Sequence, residues 1–359
     1  MNHARFLRSI AVLVLSVVVA GALPACTATV VDRRPPIPSR PATLPEPPTS
    51  PPAAEVWPKA VFTLPTRLGK GLDVDPVAML SEHEALMVTT FAMRLRFLAY
   101  DRRTQRHRVL ATAPAWSECD LCFEIRSVAV GEKQIVWTAG VYRSERWNQG
   151  LRHVELWSMP RSGGRMKLMT WLTGHYDAFP LQDTLTVDGD QVTWRGEGAS
   201  YRIPLSGGKP QRIDETPAPP VRLPDTDTRS MMCGVEWCVS QLMPDVHELT
   251  TVVIQRRDGS GRTTVPASMN SPLIHDRFGL FSPPYVEGDV VRRAGSSALL
   301  YDRCTATTAR IGTRYEVEGS ETVQQGSPGQ KPPILFWKDR GGRYVVVDLS
   351  RIPDRPCRS

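Results

Sequence analysis

The chain has 359 residues, of which 41% are hydrophobic and 23% charged, and its formal net charge is +7. This excess is mild and the N-terminal sequence predicts export, so nucleic acid is excluded as a partner. A basic cluster is interpreted as charge on solvated strand edges, with contact to teichoic acids or anionic lipid as the alternative. Its members are Arg102, Arg103, Arg106 and Arg108.

The first 25 residues have the features of an export signal. Arg5 and Arg8 precede an apolar run, Ile10–Ala22, which is shorter than the roughly 20 residues that a bilayer span needs. The following "LPAC" resembles the lipobox of bacterial lipoproteins, although Pro24 is unusual there. The resemblance implies cleavage after residue 25 and lipidation of Cys26; ordinary cleavage nearby or an uncleaved anchor is the alternative.

Residues 26–58 are rich in proline, which blocks both helices and sheet ladders. This composition predicts a disordered, extended tether, at about 3.1 Å per residue where it is polyproline-like. Its Pro- and Arg-rich style resembles exported lipoproteins of actinobacteria. The predicted location is therefore extracytoplasmic, at the outer face of the cell membrane, with the lipid anchor as the membrane contact.

A motif recurs within the remaining chain. "PRSGG" and "PLSGG" match at a constant offset, and "QIVW" and "QVTW" precede them in the same order. A phosphate-binding loop is excluded for the second copy because Lys209 is followed by Pro210, which supplies neither a hydroxyl group nor a backbone donor. The motif is predicted to be a turn within a repeated unit.

The unit is predicted to be a β-propeller blade. No stretch after Val56 shows a long helical period, whereas short β-branched or alternating stretches such as "QIVWTAGV" and "YVVVDLS" recur. Strand ends before polar turns mostly repeat after about 45 residues, as expected of four-stranded blades. Two consecutive blades are predicted from Ile125, each with four strands in chain order.

Residues 59–359 are therefore predicted to form one all-β, six-bladed propeller, with seven blades as the alternative because of the stretch 315–333. "KAVFTLP" at Lys59–Pro65 is expected to complete the last blade and so close the ring. Tryptophans predicted at the end of second strands are expected to pack between blades; they are Trp137, Trp194, Trp237 and Trp337. The pattern resembles TolB-type six-bladed propellers of exported bacterial proteins.

Cysteine parity supports lipidation, because seven cysteines minus Cys26 leave an even number for disulfides. Cys119 and Cys122 form a C-x-x-C that is interpreted as a structural disulfide, with redox or zinc chemistry as alternatives. Cys233 and Cys238 are expected to face each other across a hairpin. Cys304 and Cys357 remain as the third pair, although the sequence alone permits 15 connectivities.

Catalytic motifs are absent from the sequence. There is neither H-E-x-x-H nor G-x-S-x-G, so no metal, cofactor or catalytic residue is predicted. Asp101, Asp302 and Asp348 are predicted to end third strands and to cap turn backbone groups, not to act as paired acids.

The predicted ligand-binding face is the one that carries the connections between blades and the loops between second and third strands. Aromatic and cationic side chains there suit sugars or anionic polymers. The candidate ligand-binding residues are Trp116, Arg143, Arg146, Trp147, His175, Tyr176, His247 and His275.

The sequence thus favours a monomeric, non-catalytic binding or scaffolding lipoprotein for an envelope protein, peptide or glycan. The alternative is a propeller-fold hydrolase, lyase or lactonase with a metal at the channel mouth. A redox sensor that uses Cys119 and Cys122 is a third hypothesis.

Overall fold

The chain divides into two compact units, Met1–Thr43 and Leu44–Ser359, and every described residue belongs to the second. The signal segment, Cys26 and most of the predicted tether lie outside the described residues. No described helix is long and apolar enough to cross a membrane. The computed structural model describes residues 49–69, 71–89, 95–113, 123–142, 151–172, 184–196, 199–213, 228–242, 249–269, 271–285, 297–313, 324–325, 334–354 and 357.

Nearly all the regular structure is β-strand. The one α-helix among the described residues is α1, Ala53–Val56, and a 3-10 helix covers Leu349–Arg351. The strands are β1 Val61–Pro65, β2 Arg67–Leu68, β3 Leu72–Met79, β4 Glu84–Thr89, β5 Arg96–Asp101, β6 Arg106–Thr112, β7 Phe123–Val130, β8 Gln134–Tyr142, β9 Leu151–Pro160, β10 Lys167–Leu172, β11 Thr186–Asp188, β12 Gln191–Arg195, β13 Ser200–Pro204, β14 Gln211–Ile213, β15 Thr228–Cys233, β16 Trp237–Leu242, β17 Thr251–Arg256, β18 Thr263–Pro266, β19 Phe278–Phe281, β20 Ser297–Asp302, β21 Thr307–Thr313, β22 Gln324–Gln325, β23 Ile334–Lys338 and β24 Arg343–Asp348.

The described strands form six antiparallel sheets, in which strands that are consecutive in sequence pair with each other, except that β1 pairs with β24. Two sheets, β7 to β10 and β11 to β14, are the two four-stranded blades that the sequence predicts from Ile125. Sheet β2 to β6 has five strands because the short strand β2 pairs with β3 at one edge. These repeated antiparallel meanders confirm the predicted all-β propeller fold class; the number of blades stays a prediction.

Strand β1 closes the array of sheets. It pairs antiparallel with β24, so that Val61 faces Val347, and the order of this sheet is β1-β24-β23-β22. The Asp348 amide also donates to the Ala60 carbonyl at 2.9 Å. The earliest strand of the domain is therefore the outer strand of its last sheet, as the unclaimed stretch "KAVFTLP" predicts.

The sheet β19 to β21 is irregular, as its sequence suggests. Its first strand is reduced to two bridges, between Ser268 and Ser282 and between Ile274 and Phe278. Residues 275–277 therefore form the turn between the first and second strand positions of this sheet. A weak alternation of apolar residues before Phe278 explains why this strand is hard to recognise from sequence.

Apolar clusters fill the spaces between neighbouring sheets. Trp137 is 1% exposed and packs on Phe97 of the preceding sheet, with ring centroids 4.7 Å apart. Trp194 and Trp237 are also buried and pack against neighbouring sheets, and Trp337 contacts another such cluster. The predicted packing role is confirmed, but the predicted position at the strand end is wrong for two of them: Trp137 lies within β8, and Trp237 begins β16.

The repeated "SGG" turns attach each sheet to the one before it. Gly163 has φ +95°, and a Cβ added there would lie 2.8 Å from the Leu110 carbonyl oxygen of β6. Gly207 lies in the same way against Met169 of β10. A cation in the preceding sheet donates to the serine carbonyl of each turn: Arg108 to Ser162 and Lys167 to Ser206. The motif is thus a turn, as predicted, and it holds neighbouring sheets together.

The folded domain begins earlier than the predicted boundary at residue 59. The Arg310 amide donates to the Pro51 carbonyl at 2.7 Å, and Ala53 and Trp57 are buried in the cluster between β21 and β24. The expectation of a disordered tether up to residue 58 is therefore wrong for its last residues. The proline-rich composition predicts an extended segment, but it does not reveal that Ala53 and Trp57 anchor the end of this segment in the domain.

Two of the three expected disulfides lie within the described residues. Cys233 and Cys238 face each other across the β15–β16 hairpin, and Cys304 is bonded to Cys357. Both pairings are confirmed. Cys119 and Cys122 lie outside the described residues, so their pairing stays a prediction.

Candidate functional site

Most residues of the predicted ligand-binding face lie outside the described part of the chain, and their role stays a prediction. They are Trp116, Arg143, Arg146, Trp147, His175, Tyr176 and His247. Three of the segments that contain them, 114–122, 143–150 and 173–183, join strands of the sheet β7 to β10 to each other or to its neighbours. The described residues of that sheet next to these segments are therefore candidates for a ligand-binding site.

His275 is the one candidate that the structure describes, and it lies on the opposite face from the one predicted. It belongs to the turn 275–277, beside the β20–β21 turn, whose Arg303 amide donates to the Arg277 carbonyl at 3.1 Å. In an antiparallel meander, such turns lie at the end opposite the second-to-third-strand loops. The irregular first strand caused the misplacement, because "IHDR" reads as a connection between sheets.

Four side chains gather on one side of β9 and β10, and we call them the Trp171 cluster: His153, Glu155, Trp157 and Trp171. Alternate residues of a strand face the same side, which brings the three β9 members together. Trp171 of β10 is the register partner of Glu155. The cluster lies near the end of the sheet from which residues 143–150 and 173–183 leave.

Glu155 is the centre of the cluster and is 7% exposed. Its Oε2 accepts the indole N–H of Trp157 at 2.8 Å, and its Oε1 lies 3.2 Å from Nε2 of His153. An ionised carboxylate only accepts hydrogen bonds, so Nε2 of His153 carries the hydrogen. The buried charge is therefore satisfied on both oxygens, which fixes the two ring orientations.

The two tryptophans of the cluster have different surroundings. Trp157 stacks on Trp137 with centroids 6.1 Å apart and planes 9° from parallel, and its N–H is bonded to Glu155, so the orientation of its ring is fixed. Trp171 is 61% exposed, with its ring 6.1 Å from that of His153. An indole this exposed beside a fixed polar pair is typical of binding surfaces, where Trp is enriched.

A cleft of about 710 Å³ adjoins Trp157. Its other lining residues come from the end of β6 and from the "SGG" turn and start of β10; they are Thr112, Gly164, Arg165, Met166, Lys167 and Leu168. This volume is within the usual range for small-molecule sites, roughly 300–1,000 Å³. The cleft therefore offers one aromatic surface and two cations to a ligand.

The described residues contain no group of three or more His, Cys, Asp or Glu side chains that could hold a metal ion. Asp101, Asp302 and Asp348 accept hydrogen bonds from backbone amides just after their strands, as predicted. The hydrogen bonds from the Arg103 and Thr104 amides lower the pKa of Asp101. The carboxylates of these three residues thus stabilise turns.

Sequence reasoning missed Glu155 and Trp171. The signal was present in "HVELW", because a strand places its first, third and fifth residues on one side, where His, Glu and Trp can bond to each other. Trp171 could not be assigned in this way, since a bulge between Leu168 and Thr170 shifts the register of β10.

No protein-family model and no curated protein sequence matches the chain. Among solved structures, it is similar to TolB from Acinetobacter baumannii, with 13% identity over 79% of this chain and 56% of that chain, and a TM-score of 0.31. It is similar to an oligogalacturonate lyase in complex with manganese, with 12% identity over 75% of each chain and a TM-score of 0.34. For a putative TolB from Agrobacterium tumefaciens, the identity is 14% over 76% of this chain and 89% of that chain, with a TM-score of 0.34. The chain thus spans a little over half of the first of these proteins, and the similarity to TolB-like propellers is one of fold.

Proposed function

We propose that this chain is a non-catalytic binding module of the cell envelope, anchored to the outer face of the membrane through lipidated Cys26. Its ligand would be an envelope glycan, peptide or protein, held by the Trp171 cluster together with the loops that leave the same end of the sheet. The observation that carries the proposal is Trp171, 61% exposed beside His153 and the buried Glu155, whose carboxylate is hydrogen-bonded on both oxygens.

The physical support is preorganisation. A binding surface gains affinity when its side chains are already held in the bound geometry, because little conformational entropy is then lost on binding. The Glu155 carboxylate fixes the rings of His153 and Trp157, and the His153 ring lies against Trp171. Two disulfides in the domain suit an oxidising, extracytoplasmic compartment.

Native mass spectrometry of the domain from Thr27, purified gently from its own envelope and accompanied by total metal analysis, tests the proposal. We expect a metal-free chain with a bound envelope molecule, which Trp171→Ala loses. Val235→Ala is the matched control, since Val235 is an 81% exposed apolar side chain in the β15–β16 hairpin. One metal retained per chain would contradict the proposal and favour the hydrolase or lyase hypothesis.

A further inference from the structure

We propose that the cleft beside Trp157 binds an anionic sugar unit, meaning a saccharide that carries a carboxylate or a phosphate group. This inference rests on the proposed binding function and names the ligand class. It combines an aromatic residue, Trp157, with an exposed cation, Arg165, both of which line the cleft.

Sheet β11 to β14 repeats the sequence pattern of sheet β7 to β10, so the two can be compared residue by residue. By the constant offset of the "SGG" motif, Trp157 corresponds to Tyr201, which likewise stacks on a second-strand tryptophan, Trp194, at 5.8 Å. The stacked aromatic pair is therefore a structural feature of both repeats. At the same offset Glu155 corresponds to Ala199. The buried carboxylate that fixes Trp157 thus has no counterpart in the next repeat, and packing alone does not account for it.

The charges around the cleft favour an anion. Arg165 is exposed and, within the described part of the chain, forms no hydrogen bond or ion pair. Lys167 also lines the cleft and donates to the Ser206 carbonyl, and it forms no ion pair with a carboxylate of the described residues. None of the described residues that line the cleft is acidic, and the nearby Glu155 is already bonded to His153 and Trp157.

The shape of the cleft favours a sugar over an acidic peptide. Trp157 lines the cleft and its N–H is used by Glu155, so the contact that its ring offers a ligand is apolar, which suits the apolar face of a sugar ring. A guanidinium holds a carboxylate or phosphate with paired hydrogen bonds. A peptide would instead add to the edge of β10 through main-chain hydrogen bonds, away from the Arg165 side chain.

Isothermal titration of the folded domain from Thr27 tests the inference with three probes: a hexuronate oligosaccharide, its carboxyl-reduced neutral counterpart, and a sugar-phosphate oligomer. We expect one of the two anionic probes to bind at least about tenfold more tightly than the neutral one, in line with charge-assisted hydrogen bonds. The probe that binds more tightly identifies carboxylate or phosphate as the recognised group.

Arg165→Glu should weaken binding of that anionic probe by at least about tenfold and leave binding of the neutral probe unchanged. Lys209→Glu is the matched control, because Lys209 occupies the same exposed position of the next "SGG" turn. It should leave both affinities unchanged. Far-ultraviolet circular dichroism of both variants checks that they are folded.

Equal affinities for charged and neutral probes, with both lost in Trp171→Ala, would overturn the anionic ligand but leave the binding function standing. Equal effects of the two charge reversals would also overturn it, by showing attraction to net charge alone. Binding of an acidic peptide but of no saccharide would overturn the ligand class. A domain that binds none of these probes, and carries no envelope molecule when purified, would overturn both proposals.

Discussion

Asp302 is fully buried, and its charge is held by Arg277 through two hydrogen bonds, from Nε at 2.9 Å and from Nη2 at 3.1 Å. These bonds raise the pKa of Arg277 above its ordinary value. The same guanidinium reaches Asp354 and the Pro353 carbonyl at 2.9 and 2.7 Å. One side chain thus joins the β20–β21 turn to the C-terminal segment.

Arg277→Met should lower the free energy of unfolding by about 3–5 kcal/mol, since it leaves a buried carboxylate without its partner. Arg277→Lys keeps the charge but loses the paired geometry, and should cost less. Urea unfolding followed by tryptophan fluorescence measures both. Equal stability of Arg277→Met and the wild type would show that Asp302 is not a buried charge.

A second residue-scale prediction concerns Tyr344, which is 2% exposed and donates its hydroxyl hydrogen to Asp75. Burial, and then this hydrogen bond, raise the pKa of Tyr344 well above its ordinary value. A raised folded-state pKa gives stability that is present below the unfolded value, about 10, and is lost as the pH rises above it.

Tyr344→Phe should therefore cost about 1.5–3 kcal/mol at pH 7, where a hydrogen bond to a charged acceptor is lost. Its stability should also fall less than that of the wild type between pH 9 and pH 11. Urea unfolding at both pH values measures the difference; Tyr100 and Tyr301, whose pKa values are also raised by burial, remain as common background. Parallel pH profiles of the two proteins would contradict this assignment.

At the scale of elements, the "SGG" turns explain why the repeat is visible in the sequence at all. Gly163 requires a positive φ and close contact with the Leu110 carbonyl, which also accepts the Gly164 amide at 2.9 Å. Only glycine meets both demands. The turn and the repeat could be predicted from the sequence because they depend on local backbone conformation.

The variants Gly163→Ala and Gly164→Ala separate the cost of the positive φ from the cost of the close contact between sheets. Gly164 also has a positive φ, but the nearest atom to an added Cβ is 3.8 Å away. Gly164→Ala should cost about 1–3 kcal/mol from backbone strain. Gly163→Ala should cost at least about 1 kcal/mol more, because it also disrupts contact between sheets. Equal thermal unfolding midpoints would refute the close contact.

The disulfides differ in the length of chain that they close. Cys304–Cys357 spans 53 residues and Cys233–Cys238 spans five. On the loop-entropy model, the longer loop should contribute about 2 kcal/mol more to stability. Chemical unfolding of the double alanine variants Cys304→Ala/Cys357→Ala and Cys233→Ala/Cys238→Ala compares them. A larger loss from the hairpin pair would show that lost packing around the buried Cys238, not chain entropy, dominates.

Other elements could not be predicted, for physical reasons. The strand before His275 is reduced to two bridges, so it lacks the alternation that marks a strand. Ala53 and Trp57 are buried only because β21 and β24 lie together, and that contact is not encoded locally. The Trp171 cluster depends on the pairing register of β9 and β10, including a bulge, which a residue pattern does not specify.

At the scale of the whole domain, the pairing of β1 with β24 covers an edge of β24 that would otherwise be exposed to solvent. A chain that starts at Thr66 lacks β1 and should show oligomers in size-exclusion chromatography and a broadened thermal transition. A chain that starts at Thr49 keeps β1, α1 and Trp57 and should remain monomeric. A monomeric, cooperatively unfolding Thr66 chain would contradict this account of closure.

The central claim is that the Trp171 cluster and the adjoining cleft form the binding site. Its most direct test is a nuclear magnetic resonance titration of the domain from Thr27 with ¹⁵N-labelled tryptophan, with signals assigned by single Trp→Phe substitutions. With the anionic oligosaccharide that binds, we expect the indole signals of Trp157 and Trp171 to move and those of Trp194 and Trp237 to stay. Shifts confined to Trp194 or Trp237, or no shift at saturating ligand, would contradict the claim.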